Sequence, residues 1–275
     1  RESQHVFPPK PAPPAHDKTP SLEVRNLNWA PQIKDISLTA HAGEVVGLGG
    51  LDGQGQRELL LALFGVLRGT SGTVLIDGKP VNIKSPLMAK SSAIGMALIP
   101  EDRKTEGLML PMSVLDNLSF AALSSFSRGG LINRKAEAES IDEMIRLLAI
   151  RTDGTSVPAG SLSGGNQQKL VIAKWLMLKP RIILLNDPTR GIDVGTKQEI
   201  YQLLRKLADS GATIILYSTD YDELIGCCDK VLVLYDGAVK RVLTGPEITE
   251  KMLVASALNI DVTEEGAERH ASEDA

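Results

Sequence analysis

Short apolar runs set the strongest constraint on how this chain can fold. They lie at residues 22–27, 45–48, 73–76, 96–99, 182–185, 213–217 and 231–235. Each is strand-length, and between them fall helical patterns at 56–64, 134–148, 165–178, 194–210 and 221–228. Strands of this kind alternating with helices pair in parallel and predict an α/β domain. Residues 113–150 break the rhythm. They are rich in helix pattern, hold no convincing strand, and read as a helical insertion of about 113–165 between two α/β portions.

Both ends differ from this body. Phe7-Pro8-Pro9-Lys10-Pro11-Ala12-Pro13-Pro14 reads as a semi-rigid linker over residues 1–20, and a chain that opens this way is expected to continue something upstream. Residues 251–275 are expected to be a partly disordered tail, acidic and small-residue-rich from Asp261 onward.

With 43% apolar and 23% charged residues, the 275-residue chain has the composition of a globular domain. A net charge of −4, with no long basic block, argues against a nucleic-acid partner. No apolar run approaches the roughly 20 residues of a membrane span, and no signal-peptide layout is present. The two cysteines, Cys227 and Cys228, are adjacent and read as ordinary thiols of a reducing compartment.

The strand at 45–48 runs into Gly49-Gly50-Leu51-Asp52-Gly53-Gln54-Gly55-Gln56-Arg57 and then a helix. Strand, glycine loop and helix form the setting of a phosphate loop: inward N–H groups and the helix N-terminus attract an anion. The pattern calls for Lys and then Ser or Thr after the last glycine. Gln56 and Arg57 stand there instead. Gln56 brings no charge, and Arg57 puts a fixed cation where a hydroxyl ligates Mg²⁺. A simple glycine-rich turn remains the other reading of this segment alone.

Leu162-Ser163-Gly164-Gly165-Asn166-Gln167-Gln168-Lys169 opens a helix that Ser163 can cap. A cap followed by a flexible turn explains Ser163, but not the whole octet. The octet resembles the signature motif of ABC transporter ATPases in its carbohydrate-importer form, as found in ribose, galactose and xylose systems. The order of the other segments agrees with that resemblance. Ile182-Ile183-Leu184-Leu185-Asn186-Asp187 resembles the Walker B strand, Gly191-Ile192-Asp193 the D-loop, and Tyr217-Ser218-Thr219-Asp220 the switch region. Pro100-Glu101-Asp102-Arg103 stands at the Q-loop position. The likeness covers about residues 21–250. It implies a P-loop NTPase-like ABC ATPase core with a mainly parallel sheet, an antiparallel β portion and a helical subdomain, here the C-terminal domain of a two-domain subunit.

The resemblance also implies ATP and Mg²⁺ as cofactors, and a function coupling ATP turnover to sugar uptake. On this pattern Trp29 would stack on adenine, though it could equally be a packing residue. Gly50, Leu51, Asp52, Gly53, Gln54, Gly55, Gln56, Arg57, Glu101 and Thr219 would line the domain's own phosphate site. Ser163, Gly164, Gly165, Asn166, Gln167 and Asp193 would face a partner domain's nucleotide, with Ser163 acting catalytically in trans. Asp187 is a weakened catalytic carboxylate, one methylene shorter than the family's glutamate; a displacement near 1 Å can cost about 10²-fold in rate. Asn186 lacks the metal-attracting charge, and Thr219 replaces a histidine. No metal ligand is assigned.

These departures sort by location. The lost groups belong to the domain's own phosphate site, and the retained ones act across the interface. An asymmetric pair is therefore expected, in which a second ABC domain upstream in the full-length chain supplies the competent site. The isolated domain should then turn over ATP weakly or not at all. The remaining implied partners are transmembrane permease subunits and, indirectly, a periplasmic or extracellular sugar-binding protein, at the cytoplasmic face of the membrane. The Glu101–Met112 segment, with its charged stretch Asp102-Arg103-Lys104-Thr105-Glu106-Gly107, and the insertion from Ser113 onward are expected to form the permease-docking groove. A nucleoside importer, or a soluble ABC protein acting on ribosomes or nucleic acid, is the competing reading.

Overall fold

In the computed structural model, residues 7–10, 19–128 and 131–260 are described. The rest of the linker and the segment from residue 261 onward lie outside them.

The strands are β1 (Leu22–Trp29), β2 (Ile33–Ala40), β3 (Val45–Gly49), β4 (Ser71–Ile76), β5 (Lys79–Val81), β6 (Met96–Ile99), β7 (Ser127–Arg128), β8 (Leu131–Ile132), β9 (Ile182–Asn186), β10 (Thr213–Tyr217), β11 (Lys230–Tyr235) and β12 (Ala238–Thr244). The helices are α1 (Gln56–Leu63), α2 (Pro86–Ala89), α3 (Val114–Phe126), α4 (Arg134–Leu147), α5 (Gly164–Leu176), α6 (Val194–Asp209), α7 (Tyr221–Cys227) and α8 (Glu250–Ala257).

Six strands form the central sheet in the order β12-β11-β3-β10-β9-β6. All its pairs are parallel except β11 with β12. A second sheet, β2-β1-β4-β5, is antiparallel throughout.

The apolar runs are continuous because the central sheet is buried on both faces, and successive side chains feed two separate cores. Ile183, Leu185, Ile214, Leu216, Val231 and Val233 face the core shared with α3 to α7. Ile182, Leu184, Ile215, Tyr217, Leu232 and Leu234 face the core shared with α1 and the antiparallel sheet.

The α/β expectation is met, with three differences. The β7–β8 hairpin sits inside the region read as purely helical; a pair of two-residue strands leaves no periodicity to detect. β2, β5 and β12 add strands that the apolar runs do not mark, because solvent-facing residues interrupt their pattern. Packed structure also runs past residue 250: α8 is capped by Thr249 and buries Leu253, Ala255, Ser256 and Ala257. No helix among the described residues is long and apolar enough to cross a membrane.

Candidate nucleotide site

The loop after β3 turns through positive φ at Gly50, Gly53 and Gly55. At Gly50 and Gly55 glycine is obligatory for a second reason: a Cβ would stand 2.4 Å from the Leu234 carbonyl oxygen and 2.5 Å from that of Gln32. Among the described residues, seven of the eight α-helices carry a side-chain cap bond at the N-terminus, whereas α1, preceded by Gly55, has none. Leaving helix N–H groups free in this way suits an anion.

Gln56 changes what the loop can accept. Its side chain is buried inside the loop. The amide Nε2 donates to the carbonyls of Gly49 (3.2 Å) and Leu51 (2.9 Å). Its Oε1 accepts from the Gln54 N–H at 3.0 Å. One of the loop's own N–H donors is thereby taken by a neutral oxygen. Gln54 is also committed, since its Oε1 accepts from Asp236 N at 2.6 Å. Arg57 turns outward to an ion pair with Glu106 at 3.0 Å.

At the far side, the Tyr217 hydroxyl donates to Asp52 Oδ1 at 2.8 Å, tying the loop to the end of β10. Burial, with the Asp52 bond next, pushes the Tyr217 pKa upward. Arg190 forms an ion pair with Glu101. Asp187 is buried, with φ of 46°, and accepts from Thr219 Oγ1 at 2.7 Å. Burial raises the Asp187 pKa above the usual carboxylate range. Thr219 opposes that rise, and Glu223 and Glu101 add to it. Asp52, Glu101 and Asp187 thus surround a site whose neighbouring cation, Arg190, already has a partner.

A magnesium ion needs hard oxygen donors, usually charged. The Asn186 Oδ1 is buried and without a hydrogen-bond partner, but it carries no charge. Asp187 is held by Thr219, and position 57 offers no hydroxyl. These residues do not fit the ion.

Trp29 ends β1, half-buried beside the α1-side core, and its indole N–H donates to the Arg68 carbonyl at 3.0 Å.

The signature segment forms a separate surface. Ser163 is exposed and caps α5, accepting from Asn166 N at 3.4 Å and Asn166 Nδ2 at 2.9 Å. The Asn166 Oδ1 accepts from Arg151 N at 2.9 Å. Gln167 turns inward, its Nε2 donating to the Leu162 carbonyl at 2.9 Å. Gly165 is needed for close approach, and Gly164 lies beside Arg103. A Cβ on Gly164 would stand 2.9 Å from Arg103 Nη2, and one on Gly165 2.5 Å from Thr196 Oγ1. Asp193 caps α6, accepting from Thr196 N at 3.0 Å and from Thr196 Oγ1 at 2.8 Å. Thr196 thus packs on Gly165 while bonding Asp193, so the starts of α5 and α6 lie side by side.

Ser163, Gly164, Gly165 and Asn166 thus share one surface with Asp193, while the loop, Asp187, Glu101 and Thr219 share another. Sequence reasoning missed three contacts here: Tyr217 with Asp52, Arg190 with Glu101, and Arg103 with Gly164. The last brings Arg103 beside the signature segment. It sits on a wide helical turn, with Leu108 N bonded to the Arg103 carbonyl at 2.8 Å, that aims its guanidinium at the signature loop.

Residues 33–190 match the family model described as ABC transporter. The chain is 72% identical over 260 residues to a ribose import ATP-binding protein of Mesorhizobium japonicum, covering 94% of this chain and 50% of that protein. A protein of the same name from Rhizobium johnstonii is 65% identical, with 94% and 51% covered. The chain spans about half the length of these curated relatives. Among solved structures, a nucleotide-free ATP-binding cassette from an ABC transporter superposes with a TM-score of 0.73 at 20% identity, covering 89% of this chain and 100% of that one. The cbiO1 protein of Clostridium perfringens gives 0.71 at 24% identity, with 93% and 100% covered. These likenesses show the fold. The chain belongs to the ABC transporter family, with the α/β ATP-binding cassette fold.

Proposed function

We propose that this chain is the C-terminal nucleotide-binding half of an ATP-hydrolysing subunit that drives sugar import. Its own phosphate site is degenerate, and its signature segment completes the ATP site of a second cassette upstream in the same polypeptide. The relatives named for ribose import make ribose the first cargo to test. Permease subunits and, through them, a sugar-binding protein are the remaining partners, with the subunit peripheral on the cytoplasmic face.

One observation carries the reading. Gln56 satisfies Gly49, Leu51 and Gln54 from within the phosphate loop, while Ser163 remains exposed at the start of α5. A loop filled by its own glutamine has little to offer a triphosphate, whereas the exposed Ser163 hydroxyl at the start of α5 can turn toward an anion brought by another domain. Within the family, the residues at 56, 57, 186 and 219 act on the domain's own nucleotide, and those from 163 to 167 act on the partner's. Losses confined to the first group are what an asymmetric pair requires.

The test uses the full two-cassette subunit. Ser163→Arg should reduce ATP turnover by about 10² or more, because it places a bulky side chain where donors must meet the partner's phosphate. Asn186→Ala should leave turnover within a factor of about two. Purified alone, the chain should hydrolyse ATP near background. Robust Mg²⁺-dependent hydrolysis by the isolated chain would rule the proposal out.

A further inference from the structure

The segment Phe7-Pro8-Pro9-Lys10 is seated on the domain rather than spaced away from it. The Phe7 ring stacks on Tyr201 of α6, with centroids 5.0 Å apart and planes 29° apart. It also lies directly over Gly226 in α7, where an added Cβ would fall 2.2 Å from the ring. Glycine is a poor helix former. Its presence near the end of α7 is accounted for by the ring it admits.

Pro8 continues the contact, lining a small hollow with Tyr201, Leu204, Gly226 and Cys227. Lys10 closes it. Its ammonium donates to the carbonyl of Cys228 at 2.7 Å and to that of Ile225. These carbonyls lie at the C-terminal end of α7, where the helix leaves acceptors unsatisfied and the dipole favours a cation. An aromatic ring, a stiff Pro-Pro step and a cation thus each meet a matching feature on α6 and α7.

Beneath this contact lies a buried polar hub. Tyr201 OH donates to Glu223 Oε1 at 2.7 Å. Ser218 Oγ donates to Glu223 Oε2 at 2.7 Å, and Thr189 Oγ1 donates to the same carboxylate. Lys197 bridges Glu223 (3.1 Å) and Asp220 (3.0 Å). Through Tyr201 and Glu223, the Phe7 ring is therefore three contacts away from Ser218, which adjoins Thr219, and from Thr189, two residues after Asp187.

We propose that the groove between α6 and α7 is a built docking site for Phe7-Pro8-Pro9-Lys10, and that its occupancy holds α7 and, through Tyr201 and Glu223, the switch residues 218–220. The segment acts as a strap. When it lifts, α7 loses both its C-terminal cation and the ring over Gly226, and the switch loses a support that does not depend on nucleotide. This rests on contacts of the domain alone, independent of which sugar or site the transporter uses.

Amide hydrogen exchange in the full subunit without nucleotide tests it, comparing peptides over 218–228 with the central strand β9. Phe7→Ala and Lys10→Met, both outside the core, should each speed exchange over 218–228 by roughly threefold or more and leave β9 unchanged, as local opening does. Gly226→Ala gives the sharper result. Alanine favours helix, so an effect of helix propensity alone slows exchange in α7. Displacement of the Phe7 ring speeds it. The proposal is overturned if Phe7→Ala and Lys10→Met leave 218–228 unchanged, if exchange rises equally in β9, or if Gly226→Ala slows α7.

Discussion

Thr219 donates a 2.7 Å hydrogen bond to Asp187, so the two residues proposed to stand in place of a switch histidine and a catalytic glutamate satisfy each other. The bond joins the ends of two adjacent strands, β9 and β10, and leaves the Asp187 carboxyl buried at positive φ. Departures of this kind read as losses one at a time. Together they make a closed local structure.

The Asp187 pKa is raised chiefly by burial, which fixes the sign of a pH effect. A carboxyl whose folded pKa exceeds its unfolded one stabilises the fold fully below the unfolded value, and that stability is lost as pH rises through the folded pKa. Asp187→Asn removes the titration and keeps an acceptor for Thr219. Asn also tolerates positive φ, a benefit independent of pH. The variant should melt higher than the parent at pH 7–8, by about 2–4 °C for each kcal/mol regained. The gap should shrink as pH falls toward 4. Melting curves across that range check it; a gap that widens on acidification would refute the assignment.

Gln56 holds the phosphate loop from inside, so its loss should be felt without any nucleotide. Gln56→Ala strands the buried Gly49 carbonyl, the half-buried Leu51 carbonyl and the Gln54 N–H, a cost of about 1–3 kcal/mol. Arg57→Ala breaks only an exposed pair with Glu106 and should cost about 1 kcal/mol or less. Urea unfolding of both variants should separate them clearly. Equal midpoints would mean that the glutamine bonds contribute nothing.

The buried carboxylate of Glu223 receives Thr189, Tyr201, Ser218 and Lys197. Removing it leaves three hydroxyls without that carboxylate and Lys197 with Asp220 alone. Glu223→Ala should therefore destabilise the domain by about 3–5 kcal/mol. Tyr201→Phe, which deletes one donor and keeps the ring under Phe7, should cost only about 1 kcal/mol. Chemical denaturation of the pair measures the difference.

Much of this was legible in the sequence because it is local. Val45 to Leu48 and Ile182 to Leu185 announce a two-faced sheet by their unbroken apolarity. Ser163 and Asp193 announce helix starts by their caps. The glutamine and arginine after the phosphate loop can be recognised as departures by position alone. What could not be read is where each displaced group goes. Arg57 finds Glu106 and Arg190 finds Glu101 across 49 and 89 residues, pairings without periodicity or spacing. Phe7 lies in a proline-rich stretch that resembles any spacer, and only the missing Cβ of Gly226 shows that it docks.

Arg103 supplies the last prediction. Its place in a charged segment suggests a solvated docking loop, where reversing the charge would affect coupling to the membrane subunits and spare ATP turnover. The structure instead puts its guanidinium against Gly164, with Nε buried, at the first turn of α5. A cation there reinforces the positive end of a 13-residue helix, at the point where the proposed function brings a partner's phosphate. Arg103→Glu places a carboxylate in the same spot, where it neutralises the positive potential of the helix start and repels the incoming anion. Turnover by the full subunit should then fall by about tenfold or more, with Arg103→Lys retaining most of it. ATPase assays on detergent-free protein, with no permease present, decide the matter: turnover unchanged by the reversal would return Arg103 to the membrane side.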